Sequence, residues 1–362
     1  MLKMEKGSFT SLIVLILSIF VLSACGNSES SNTSNTNGDS KAKKTYELSV
    51  NNFYSATDPW VNGVYEPWKK FVEQKTNGRI KVNITHSSTL GTANNALKDI
   101  QGGVYDLAYI APSLHADTEL FPLTIGTLPF AIPNAEVGTR VMEKFAKTYG
   151  EFNNFIPLGM ITSDPYMLYS RNSVKKIEDV KNRKYRITGK NDAILYEAWG
   201  VTPVSIPIAD VYESIQKTTI DGLFFSAVGG VGGKYYEVAP NLLNLPFMVQ
   251  PLSFGLNKGF YDQLPQDLQK MMKEELAPKL VELFVGTYTS GVDNAMEEFK
   301  KQTEGKGGIT KLSPEEEKKF KAPAKKSWDL WVEEANKKGY PGAEMMAEFK
   351  KLLKEEGIDV SF

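Results

Sequence analysis

One cysteine and two histidines in 362 residues leave this chain short of the side chains that most metal and nucleophile chemistry requires. A lone Cys25 cannot close an intrachain disulfide, and with only His86 and His115 beside it there is no Cys- or His-rich zinc set. A Ser-His-Asp device needs a histidine that serves a nucleophile motif, and no G-x-S-x-G is present. Charge of one sign is missing too. The 42 Lys and Arg stand against 43 Asp and Glu, a formal net charge of -1, so no global field gathers nucleic acid. Long hydrophobic runs are equally scarce: Leu12 to Leu22 is short for a spanning helix, follows Lys3 and Lys6, and ends in small residues, which is the pattern of a secretory signal. These absences argue against an enzyme, a metal protein or a nucleic-acid binder, and no cofactor is expected.

What is present is an ordinary globular composition, 41% hydrophobic and 23% charged, in a chain long enough for about two domains. Leu22-Ser23-Ala24-Cys25 resembles a bacterial lipobox, which implies a signal peptide over residues 1–24 and a lipid on Cys25 that anchors the protein to the cell membrane. Residues 25–44 are Ser, Asn, Thr and Gly with a few charges, too polar to bury surface, and read as a tether. The folded body, from Thr45 onward, is thus expected outside the membrane.

That body opens with alternating elements. Tyr46 to Val50 has the period of a strand, Asp58-Pro59 starts a helix that carries Val64, Trp68, Phe71 and Val72 to a stop at Gly78, and Ile80, Val82 and Ile84 alternate again. A helix from about Asn94 to Gly102 and a strand over Tyr105 to Ile110 follow. The rhythm repeats as strand (Lys184 to Ile187), helix (Asp192 to Trp199), strand (Thr202 to Ile206), helix (Ala209 to Thr218) and strand (Asp221 to Phe225). Such alternation implies crossovers and largely parallel sheets in two α/β lobes. After Asn257 the pattern is helical, with Pro278 expected to bend or break a long helix and Ser313-Pro314-Glu315-Glu316 forming a capping box. The segment Gly229-Gly230-Val231-Gly232-Gly233-Lys234 resembles a phosphate loop, but Val228 and Tyr235 stand where Gly and Ser or Thr belong; it reads as a flexible or close-packed glycine turn.

A tethered, two-lobed α/β protein without catalytic groups points to a cleft that encloses a small molecule. The resemblance then becomes specific. Gly78-Arg79-Ile80-Lys81-Val82, Ser88-Thr89-Leu90-Gly91, Leu128-Pro129-Phe130, Ile177-Glu178-Asp179-Val180-Lys181, Tyr185-Arg186-Ile187, Gly200-Val201-Thr202-Pro203-Val204, Asp210-Val211-Tyr212 and Asp221-Gly222 resemble, in order and spacing, the DctP-type solute-binding proteins of TRAP transporters. The resemblance implies a periplasmic-binding-protein-like α/β fold with two lobes joined by crossing strands and a long helix. It places lobe one at residues 45–164 with 252–291 and lobe two at 165–251 with 292–362, hinged near Pro165 and Pro251. It also implies a receptor that captures an organic acid and delivers it to TRAP membrane subunits. ABC-type binding proteins and ligand-sensing partners of membrane receptors share such lobes and remain alternatives.

The family's ligand arginine falls on Arg186, whose planar fork matches a carboxylate. Arg183 is expected to be solvated. Elsewhere the pocket departs toward lower polarity: Tyr166 stands where sialic acid binders have a second Arg, Phe225 where an Asn is common, Ala111 and Leu114 where those binders have Glu and Arg, and Ile208 where a Phe is usual. A pocket of this kind leaves sugar hydroxyls unpaired. The resemblance therefore implies one carboxylate on an apolar or aromatic body, with Phe53, Tyr54, Tyr166 and Phe225 as walls.

Overall fold

The computed structural model describes residues 44–360. The expected signal peptide, Cys25 and the expected tether up to residue 43 lie outside the described residues.

The first sheet is built from β1 (Tyr46–Asn51), β2 (Ile80–Thr85), β3 (Leu107–Ile110), β4 (Ile156–Thr162) and β10 (Pro251–Leu256), in the order β2-β1-β3-β10-β4. The second contains β5 (Tyr166–Ser170), β6 (Lys184–Ile187), β7 (Thr202–Ser205), β8 (Gly222–Ser226), β9 (Asn241–Leu243) and β11 (Gly308–Thr310), in the order β11-β9-β5-β8-β6-β7. The period-two residues of β1 point into the core: Tyr46, Leu48 and Val50 are buried and pair in parallel register with Ile80, Val82 and Ile84. β6 likewise lies parallel to β7 and β8.

β1 also lies parallel to β3 and β9 to β11, but the expectation of largely parallel sheets holds only in part. β10 runs antiparallel to both β3 and β4, and β5 runs antiparallel to β8 and β9. The reason is the way the chain changes sheets. Only residues 163–165 separate β4 from β5, which leaves no length for a helical crossover. The return passage runs from β9 to β10, and the two passages hold each other: Ser163 N donates to Gln250 O at 3.0 Å, Gln250 N to Ser163 Oγ at 3.0 Å, and Tyr166 N to Met248 O at 2.7 Å.

Each sheet supports its own apolar core, one around Leu48, Leu107 and Phe254 and the other around Leu168, Leu223 and Phe224. The helix Ala277–Gln302 serves both, burying Leu280, Phe284 and Tyr288 in the first and Ala295 and Phe299 in the second. Pro278 does not break it. Helical backbone runs on from Gln266 into the proline, and the residues just before it, Met272–Leu276, widen into a π-turn whose Leu276 carbonyl accepts from Trp68 Nε1 at 2.7 Å.

Two expectations are corrected. The C-terminal residues do not all join the second lobe: Phe320 packs in the second core, but Trp328, Trp331, Met345, Phe349 and Leu353 pack in the first. The indoles fix this choice, since Trp328 Nε1 donates to Pro129 O at 3.1 Å and Trp331 Nε1 to Thr124 Oγ1 at 2.9 Å. The glycine run is also not a turn but the end of a short helix, Ala227–Gly232. Its glycines allow close approach: a Cβ on Gly230 would lie 2.3 Å from the Tyr169 ring, and one on Gly232 would lie 2.3 Å from Pro59 Cδ.

Candidate functional site

Arg186 projects from β6, an interior strand of the second sheet, and is 6% exposed. Its Nε donates to Ile206 O at 2.8 Å and Nη1 reaches Thr188 Oγ1 at 3.4 Å. No carboxylate of the described residues pairs with it. Asp192 senses its charge but spends its oxygens on Thr188 N (2.6 Å) and Gly189 N (2.8 Å), where it caps the helix Lys190–Ala198, and burial pushes this carboxyl up to about 6. A buried guanidinium without a counter-ion is costly unless an anion completes it. Arg186 borders a narrow cavity between the two sheets.

The cavity's walls come from both lobes. Tyr54, Trp60, Tyr109, Ala111 and Tyr288 face it from the first, while Tyr166, Ile208 and Phe225 face it from the second, with Ser163 and Gln250 of the two passages between them. Tyr109 Oη donates to Tyr54 Oη at 3.3 Å, Trp60 packs tilted on Tyr54 with centroids 5.1 Å apart, and Tyr166 packs on Phe225 at 5.3 Å. Burial raises the hydroxyls of Tyr54, Tyr166 and Tyr288 well above their ordinary range and that of Tyr109 to about 12, so all four remain neutral donors. The arrangement offers one fixed positive charge, several neutral donors and aromatic faces. It has no acidic lining residue to receive a metal, and no cluster of metal-ligating side chains occurs among the described residues.

Of the residues expected from sequence, Arg186, Tyr54, Tyr166, Phe225, Ile208 and Ala111 meet at this cavity, as does Leu114. Phe53 is the exception. It lies behind Tyr109, packed edge-on at 4.9 Å and fully buried, in the bend after β1 where Tyr54 and not Phe53 lines the cavity. Arg183 is half-exposed and lies 3.9 Å from Asp221. Sequence reasoning missed Trp60, Tyr109, Tyr288 and Gln250. Tyr109 lies on a strand the alternation finds, but burial on both faces hides which side chain looks outward. Tyr288 has only the spacing of a packing residue on a long helix.

The family described as bacterial extracellular solute-binding protein, family 7 (DctP), matches residues 50–335. The ectoine-binding periplasmic protein TeaA of Halomonas elongata is 23% identical over 306 residues, 80% of this chain and 85% of that one. The C4-dicarboxylate-binding periplasmic protein DctP of Shewanella loihica is 24% identical over 215 residues, 58% of this chain and 63% of its own length. Among solved structures, a TRAP solute-binding protein from Rhodoferax ferrireducens in complex with copurified benzoate superposes with a TM-score of 0.77 at 20% identity, covering 86% of this chain and 99% of that one. A TRAP periplasmic solute-binding protein from Sulfurospirillum deleyianum with bound succinate gives 0.76 at 18% identity, covering 85% and 99%. These likenesses confirm the two-lobed fold.

Proposed function

This chain belongs to the bacterial extracellular solute-binding proteins of family 7, and from that membership we propose that it is the extracytoplasmic receptor of a TRAP transporter, which binds one organic acid between its lobes and hands it to the membrane subunits. The observation that carries the reading is Arg186, a guanidinium 6% exposed in an interlobe cavity with no carboxylate of the described residues against it. A ligand carboxylate supplies the missing charge and two parallel acceptors, and closure strengthens the pair by removing water.

The same walls narrow the ligand. Among the described residues no second cation lines this cavity, which disfavours a dicarboxylate, and the rings of Tyr54, Tyr166 and Phe225 suit an apolar or aromatic body. Binding, closure and release complete the task, and nothing at the site calls for a catalytic step. Among the described residues no helix is long and apolar enough to cross a membrane. Attachment is assigned to a lipid on Cys25, with residues 25–44 as the tether. Denaturing the purified protein and identifying the released molecule by mass spectrometry tests the reading. A carboxylic acid is expected, and a ligand without a carboxylate would overturn it.

A further inference from the structure

Gln250 and Thr188 stand between two spaces. The cavity around Arg186 has a volume of about 30 Å³, and on the other side of these two residues lies a chamber of about 250 Å³. Small-molecule sites begin at roughly 300 Å³. The first space therefore holds the carboxylate and the part of the body that meets Tyr54, Tyr166 and Phe225, whereas the two together approach the size of a complete site. The distance between them is short, because Thr188 Oγ1, on the chamber's border, is the partner of Arg186 Nη1 at 3.4 Å.

The chamber has an apolar interior. Phe121, Ile194, Met248 and Trp331 line it, with Phe121 and Trp331 stacked at 5.4 Å and 12°. Most of its charged residues are already engaged: Lys190 lies 3.1 Å from Glu334, Lys338 lies 3.2 Å from Asp117, and the buried Asp192 accepts from Thr188 N and Gly189 N, while Lys337 is exposed at the border. Such a space suits a hydrocarbon chain better than a second charge.

Gln250 adds a polar requirement at the junction. It is 3% exposed, and its Nε2 donates to Ser113 Oγ at 2.8 Å and to Pro251 O at 3.2 Å. A carbonyl only accepts, so these bonds fix which end of the amide is which. Oε1 is thereby left as a buried acceptor without a partner. A donor on the ligand would satisfy it.

We propose that the ligand is a hydroxy acid with an apolar tail: the carboxylate sits on Arg186, the hydroxyl donates to Gln250 Oε1, and the tail enters the chamber beside Trp331. The proposal rests on the carboxylate reading of Arg186. Calorimetry with 3-hydroxybutanoate, 3-hydroxyhexanoate and 3-hydroxyoctanoate, each beside its unsubstituted acid, tests it on the wild type, Ile194→Trp and Arg186→Ala. Affinity should rise about fourfold per added carbon until the chamber is full, and each hydroxy acid should bind about fivefold more tightly than its unsubstituted partner. Ile194 is half-exposed, so a larger ring there fills the chamber without disturbing the core and should flatten the length dependence. Equal binding of short and long acids, an undiminished length dependence in Ile194→Trp, or no gain from the hydroxyl would overturn the proposal. If length has no effect while Arg186→Ala abolishes binding of every acid, the chamber is wrong and the carboxylate reading stands. If Arg186→Ala binds them all as wild type does, that reading fails first.

Discussion

Asn191 Nδ2 donates to Thr127 Oγ1 at 2.8 Å, and this bond joins the two lobes. Asn191 belongs to the helix Lys190–Ala198 of the second lobe, and Thr127 ends the 3₁₀ segment Phe121–Thr127 of the first. The same amide reaches Thr124 O at 3.3 Å, and Lys190 pairs with Glu334 nearby. These contacts border the chamber beside Trp331 rather than Arg186, so they bear on closure and on the ligand's tail, not on its carboxylate.

Removing the latch should shift the molecule toward an open form. A hydrogen bond of this kind contributes about 1 kcal/mol, so Asn191→Ala should weaken binding about fivefold, mainly through faster dissociation. Small-angle scattering should show a larger radius for the unliganded variant. Equal radii and equal dissociation rates would show that Asn191 does not govern closure.

Gly232 tests closure from the other side of the cleft. A Cβ there would lie 2.3 Å from Pro59 Cδ, so Gly232→Val cannot adopt the closed contact between the helix Ala227–Gly232 and the first lobe. The position is half-buried and tolerates a side chain once the lobes part. The variant should fold, lose at least tenfold in affinity, and need at least ten times more ligand for the same rise in melting temperature. Wild-type affinity would contradict this.

Three buried carboxyls give stability an unusual dependence on pH. Burial raises Asp164 to about 7, and Asp58 and Asp192 to about 6, from an unfolded value near 4. The folded protein therefore holds protons that the unfolded chain has released. Their contribution is fully present below about pH 4 and is lost as pH rises through 6 to 7. Asp164 keeps one oxygen on Ala227 N at 2.7 Å while its other oxygen has no partner. In Asp164→Asn the amide oxygen can keep that bond, so denaturant titrations between pH 4 and 7 should show a slope smaller by up to one proton. An unchanged slope would mean that Asp164 does not titrate there.

The proposed lipid on Cys25 makes a simple prediction. Cys25→Ala should release the protein into the medium or leave the precursor uncleaved, as membrane fractionation and the mass of the product would show. A variant processed and retained like wild type would remove the lipid from the account.

How much of this was legible in advance depended on the kind of signal. β1, β2 and β6 declare themselves by alternation, and the Ser313 cap is visible as a motif and is realised by Ser313 Oγ accepting from Glu316 N. β4, β5 and β10 were not read from periodicity, because every residue of β5 and of β10 is buried and nothing alternates. The lobe assignment of Trp328 and Trp331 could not be read either, since helical spacing marks a buried face without saying which core receives it. Arg186 was legible only through family resemblance; its spacing alone fits a surface ion pair. The partnerless Gln250 Oε1 depends on contacts 137 residues apart in sequence, with Ser113, and no local pattern encodes them.

The central claim is that a ligand carboxylate completes Arg186, and calorimetry on Arg186 variants with the acid recovered from denatured protein tests it most directly. Arg186→Ala leaves that carboxylate desolvated and should cost about 2 to 5 kcal/mol of binding. Arg186→Lys keeps the charge but loses the fork and should weaken binding at least tenfold, about 1.4 kcal/mol. An Arg186→Ala protein that binds the acid within a factor of two of wild type would contradict the account.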